Sequence, residues 1–175
     1  MPPPRSVVCA LPYYHVRTAD DQSSEPTHIV DVRLQFVFFD RRHVMIHLSA
    51  FPNTLDVAER EGYVPLLGPC AVSTPCRLSS EKGLTVSCTN LFLETPFGAH
   101  ISDDGLQSSF AHSLSQRLTK KCAGDGVVFI VHCALEPPLS ALLLGGEGSM
   151  EAATQFSAFV YRNVLRIVQE ENEKQ

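Results

Sequence analysis

The sequence predicts an α+β domain, an antiparallel sheet of about five to six strands with two long helices packed on one face and the other face left for a dimer interface. Three observations predict it. Between Val30 and Ser49, two runs that alternate apolar and polar residues flank a short polar turn. An amphipathic helix follows Asp103, and directly behind it Val127–Leu135 is apolar on consecutive positions. A second amphipathic helix begins near Met150. Hairpins followed by helices, without a regular β-α-β alternation, are the pattern of α+β chains.

In chain order, residues 1–27 read as a flexible, proline-rich tail with an acidic patch from Asp20 to Glu25 and one edge strand at Val7–Leu11. Tyr13, Tyr14 and His15 are expected to be exposed there. The domain spans 28–175. In its first strand Val30, Val32, Leu34, Phe36 and Phe38 alternate with Asp31, Arg33, Gln35 and Val37, so one face is buried. Asp40, Arg41 and Arg42 make a polar turn, and Val44, Ile46 and Leu48 then alternate with Met45, His47 and Ser49 to complete a hairpin. His43 and His47 have no third ligand nearby in the sequence and read as solvent-edge strand residues.

Phe51–Pro65 reads as a connection with one helical turn near Leu55–Arg60. Leu66–Ser73 is a third strand that Gly68 and Pro69 demote toward an edge or a late start. Leu84–Leu93 is a fourth, with Leu84, Val86 and Cys88 in alternation and a bulge that lets Leu91 and Leu93 carry on. Thr95–Ser102 is a loop.

The stretch from Asp103 to Leu135 organises the rest. Leu106, Phe110, Leu114 and Leu118 recur every four residues beside Ala111, while Gln107, Ser108, Ser115, Gln116 and Lys120 fall off that stripe. Asp103 and Asp104 suit the helix start, Lys120 and Lys121 its last turn, and Gly124 and Gly126 the left-handed geometry that ends a helix. The run Val-Val-Phe-Ile-Val from Val127, continuing to Leu135, reads as the central strand with both faces covered. Glu136–Ser149 is expected to be a flexible insertion ahead of a helix capped by Ser149. Its Gly145-Gly146-Glu147-Gly148 lacks the lysine and the spacing of a phosphate loop. The last helix puts Phe156, Phe159, Val160, Val164, Ile167 and Val168 on one stripe.

Composition narrows the function classes. A net charge of −5 gives no basic footprint, so nucleic acid is not an expected partner. No apolar run approaches the roughly 18 to 20 residues that span a bilayer, and the N-terminus lacks the plan of a signal peptide, so no membrane is expected and the chain reads as cytosolic or nuclear. The six cysteines form no CxxC pair, and the gap between Cys70 and Cys76 departs from zinc spacing, so they read as reduced thiols with no metal and no cofactor.

Two helices of roughly 17 and 23 residues cover one face of such a sheet but not both. The second face then carries Val37 and Met45, together with whichever of Val128 and Ile130 or Phe129 and Val131 points away from the helices. An apolar patch of that kind marks a partner surface. The candidate interface is Val37, Met45, His47, Leu91, Val128 and Ile130. Catalysis is not expected: His132 and Cys133, adjacent on a strand, point to opposite faces and cannot act on one another.

The runs GLQSSFAHSLSQRLTKKCAGDGVVFIVHCAL, 105–135, and QFSAFVYRNVLRIVQEENEKQ resemble the C-terminal half of the proteasome assembly chaperone 4 family. The resemblance lies in a Gly-Leu opening, a Leu-x-x-Arg-Leu-x-x-Lys helix (Leu114, Arg117, Leu118, Lys121), a Val-Phe strand (Val128, Phe129) and an Asn-containing last helix (Tyr161, Arg162, Asn163, Val164). The hairpin 32–50 and the strand 84–95 are similar to its first half. The resemblance implies a non-enzymatic chaperone that pairs with a proteasome assembly chaperone 3-like subunit, or with a second copy as a homodimer, and supports assembly of the 20S proteasome α-subunit ring by contacting α-subunits. The N-terminal tail and the insertions at 54–65 and 136–149 depart from that pattern. The ending Glu173-Lys174-Gln175 also lacks the hydrophobic-Tyr-any tail by which another proteasome chaperone pair docks between α-subunits. A longin- or roadblock-like trafficking module, which also dimerises through its sheet, is the alternative. An orphan cysteine enzyme using Cys133 or Cys70 is the third reading.

Overall fold

The structure, a computed structural model, describes residues 3–15, 27–52, 68–77, 84–91, 104–145 and 150–174. They form an α+β fold: β1 (Arg5–His15), β2 (Thr27–Phe38), β3 (His43–Pro52), β4 (Cys70–Arg77), β5 (Leu84–Leu91), α1 (Asp104–Lys121), β6 (Val128–Ala134), α2 (Pro137–Leu144) and α3 (Met150–Glu173). The six strands make one sheet in the order β1-β2-β3-β6-β4-β5. The acidic patch at 20–25, the turn at 55–60, Leu93, the loop 95–102, Asp103 and the Ser149 cap lie outside the described residues.

The β2–β3 hairpin follows its alternation, with Phe36 opposite Ile46 and Leu34 opposite Leu48. Asp40 holds the turn: its Oδ1 accepts from the Arg42 and His43 backbone N–H groups at 2.6 and 2.8 Å. Those bonds and His43 keep its carboxyl below the usual carboxylate range.

Five expectations are corrected. The sheet is mixed, because β6 runs parallel to β3. α1 carries the chain from β5 back across one face, so β6 enters in the same direction as β5, and β4 fits between them, antiparallel to both. The N-terminal strand is longer than Val7–Leu11, and Tyr13 is buried with its ring 5.2 Å from Phe156 and 5.1 Å from Phe159. It fastens β1 to α3 instead of standing exposed. β4 is interior rather than an edge; its ladder to β6 ends at Ser73, so the missing N–H of Pro75 falls beyond it. The β4–β5 register runs unbroken from Cys70–Leu91 to Arg77–Leu84, without the expected bulge.

The fifth correction concerns the 136–149 insertion, which contains α2. Pro137 and Pro138 occupy the first turn, where a missing N–H costs nothing, and Gly145 closes the helix at φ 91° with its N–H on the Ala141 carbonyl. Leu139 and Leu143, four apart, bury the inner side.

α1, α2 and α3 all lie on one face of the sheet. α1 covers β4, β5 and β6; α3, through Phe156, Val160, Val164 and Ile167, covers the β1–β3 side. Several α1 residues expected off the core are buried there. Ser115 Oγ donates to the Phe129 carbonyl (3.0 Å) and Thr119 Oγ1 to that of Ser73 (3.3 Å). Gln107 Nε2 donates to the Leu135 carbonyl (3.0 Å) while its Oε1 accepts the Leu135 N–H (2.9 Å). They are inside because each hydrogen-bonds backbone of the sheet, and Gln107 satisfies both groups of Leu135 just past the end of β6. Arg5 ties β1 to the last turns of α3 by an ion pair with Glu171 (2.6 Å), which Lys174 also contacts.

Candidate interaction face

Strand alternation sorts the sheet into two faces. Phe129, Val131 and Cys133 of β6 are fully buried beneath the helices, so Val128, Ile130 and His132 point the other way. That settles which pair belongs to the second face. Among the described residues no helix packs there, so the apolar run in β6 meets a helix layer on one side only.

The register places the candidates in adjacent rows. Val37, Met45, Ile130 and Val72 lie side by side across β2, β3, β6 and β4. The next row is Gln35, His47, His132, Cys70 and Leu91, with Val8 at its β1 end. Val128 stands one row further, beside His43. All six predicted residues therefore share the helix-free face. Leu91 and Val8 are each 49% exposed at its two margins, and Val37, Met45, His47, Val128 and Ile130 are half-buried between them. Toward one end Ser49, Phe51, Cys70 and Ala134 are buried.

His47 is not at a solvent edge. β3 and β6 are the two middle strands, and their parallel pairing sets His47 beside His132, with ring centroids 6.1 Å apart. Burial, then the neighbouring His132 and Arg33, hold the His47 imidazole below its ordinary pKa. Burial lowers His132 as well, opposed by a backbone hydrogen bond with Gly68. A side chain on Gly68 would overlap the Cys133 carbonyl, and Pro69 accepts the Cys133 N–H (3.0 Å), so this segment is pressed onto β6. His132, Val72, Cys70 and Val8 were not among the candidates. The alternation of β6 and β4 carried the signal for three of them, but the pairing of β6 with β3 and β4 did not exist in any local pattern.

The chemistry of the cysteines runs against nucleophilic use. Burial pushes the Cys70 and Cys133 thiols up, away from the thiolate a nucleophile needs, and Cys133 lies on the opposite face from His132. No group of three or more His, Cys, Asp or Glu among the described residues is placed to hold a metal, and no described helix is long and apolar enough to cross a membrane.

No family model matches the sequence, and no curated protein matches it. Among solved structures, the chain is similar to one in the crystal structure of a chaperone complex for yeast 20S proteasome assembly. The likeness has a TM-score of 0.48 and 10% identity, and covers 94% of this chain and 97% of the other.

Proposed function

We propose that this chain is a non-enzymatic chaperone that, as a dimer with a related small subunit, promotes assembly of the 20S proteasome α-subunit ring in the cytosol or nucleus. The observation that carries the reading is the helix-free sheet face, which gathers Val37, Met45, His47, Leu91, Val128 and Ile130 in adjacent rows. Such a face loses free energy by staying wet, and a second sheet laid on it is the simplest cover. The residue-level resemblance supplies the partner class, a proteasome assembly chaperone 3-like subunit, and the α-subunits as client.

The two stretches that carry this resemblance also meet in space. Arg117 of α1 lies over the Tyr161 ring of α3 at 4.3 Å and donates to Ser157 Oγ (3.2 Å), while Leu114, Leu118 and Val164 are buried in the common core. They form part of the helix layer on one face of the sheet.

The test is affinity purification of the tagged chain from its own cells, with mass spectrometry of what co-elutes. Recovery of 20S α-subunits and one small α+β companion, without mature β-subunits, is expected. Val37→Asp and Met45→Asp should lose the companion while the chain remains folded. Vesicle-tethering or small-GTPase components in place of α-subunits would replace this reading with the trafficking one.

A further inference from the structure

The turn between β2 and β3 is pinned at three places. The Asp40 carboxylate accepts the Arg42 and His43 N–H groups, the Phe39 N–H donates to the His43 carbonyl (3.0 Å), and the Arg42 carbonyl accepts the Val128 N–H (2.6 Å). Asp40 also holds the His43 imidazole at 2.8 Å, so its charge is engaged within the turn. Those bonds involve backbone, Asp40 and His43. The side chains of Phe39, Arg41 and Arg42 stand out from this fixed frame, and Phe39 is 44% exposed. A phenyl ring held that far into water loses free energy that a docked partner would return.

Beside the turn lies a cleft of about 630 Å³, at the end of the β1–β2 pair where Arg5 reaches the last turns of α3. Pro3, Phe38 and Phe39 form its apolar walls, and Arg5, Arg41 and Arg42 supply its charge; Asp40 is the one acid among the described lining residues. Arg5 is fixed in place, 5.4 Å over the Phe38 ring and paired with Glu171. Arg41 and Arg42 also line a second cleft of about 310 Å³ with Asp125 and Asn172, so they stand where the two adjoin. Ligand clefts run from about 300 to 1,000 Å³, which is room for a group with several contacts rather than a lone ion.

We propose that this cleft binds an acidic peptide segment of a partner protein, with carboxylates on Arg41 and Arg42 and an aromatic or branched side chain against Phe39. A guanidinium grips a carboxylate through paired N–H donors, and arginine and aromatic side chains are prominent among the residues that carry binding energy at interfaces. The sign of the charge selects the partner: three guanidiniums beside one engaged carboxylate attract an acidic segment and disfavour a basic one. The apolar walls select a peptide over a small inorganic anion, which has nothing to place on Phe38 and Phe39. Because the turn is fixed before binding, little ordering is required on this side of the contact. The cleft sits at an end of the sheet, so the inference does not depend on what covers the helix-free face.

The test is fluorescence anisotropy of the full chain with a labelled peptide of glutamates around one phenylalanine. The same peptide with glutamines for glutamates and a short single-stranded oligonucleotide are compared with it. Saturable binding is expected for the glutamate peptide, about tenfold or more weaker for the glutamine peptide, and severalfold weaker at about 500 mM salt than at about 50 mM. Arg41→Glu/Arg42→Glu, with the fold checked by circular dichroism, should weaken it by about tenfold or more, whereas Arg162→Glu, a charge reversal on α3 outside the cleft lining, should change it by less than about twofold. Phe39→Ala should cost about fivefold. If the double variant does not fold, Arg42→Gln should still show a severalfold loss. No saturable binding, equal binding of the glutamine peptide, or an equal loss in Arg162→Glu overturns the cleft as an acidic-peptide site. Tighter binding of the oligonucleotide overturns the peptide as its occupant.

Discussion

The two faces of this sheet are built from the same strands and differ in what covers them. On the helix side Phe36, Ile46, Leu48, Phe129 and Val131 are fully buried, and Gln107, Ser115 and Thr119 each hydrogen-bond a specific backbone atom. On the other side Val37, Met45, Val128 and Ile130 stay half-buried. One face is complete within the chain. The other is as apolar in its middle rows but only partly buried, and among the described residues no helix covers it.

Substitutions can break this contrast in order of size. Phe129→Ala, emptying a fully buried site, should lower unfolding free energy by about 3–5 kcal/mol in urea titration. The neighbouring Ile130→Ala should cost the isolated chain less than that, because its side chain is only partly buried. Equal losses would erase the distinction between the faces. Gln107→Ala comes next: it strands both the N–H and the carbonyl of Leu135, at a cost of about 2 kcal/mol. Ser115→Ala removes one neutral hydrogen bond and should cost about 1 kcal/mol by the same assay.

A smaller effect concerns the clamp on the edge strand. Lys174 first, and Arg5 beside it, hold the Glu171 carboxyl below its ordinary value. A carboxyl lowered in the folded state lends stability that is fully present above the ordinary carboxylate pKa and is lost as pH falls through the lower folded value. Protection of the β1 amides relative to their intrinsic exchange rate should therefore fall at acid pH in the wild type, and Arg5→Ala should show the lower protection already at neutral pH. The smallest effect is chemical. Cys133 and Cys70 should resist alkylation in the folded chain, while the half-exposed Cys9, Cys76 and Cys88 react first, as read by mass spectrometry.

Much of the candidate face was legible before any coordinates. Val37 and Met45 follow from the parity of the first hairpin, and His132 opposes Cys133 because successive side chains alternate. The expected bulge would have kept Leu91 on the side of Cys88; the unbroken register places it on the helix-free face. The misreadings share a cause. Pro137-Pro138 and the glycines that follow resemble loop punctuation, although prolines are at home in a first helical turn. Gln107 and Ser115 are polar in type, and polarity was read as exposure, whereas both are buried with their polar atoms on backbone groups of Leu135 and Phe129.

By itself the sequence determined the β2–β3 hairpin, the β6 strand and the two long helices and which residues share a side of each, because those properties depend on repeats of two and 3.6 residues within one segment. Only the tertiary structure decided that β6 lies between β3 and β4, parallel to one and antiparallel to the other, and so that His47 meets His132. Strand neighbours far apart in the chain are selected by the summed burial of the whole sheet and by the path α1 takes across it, and no local run of residues contains that sum.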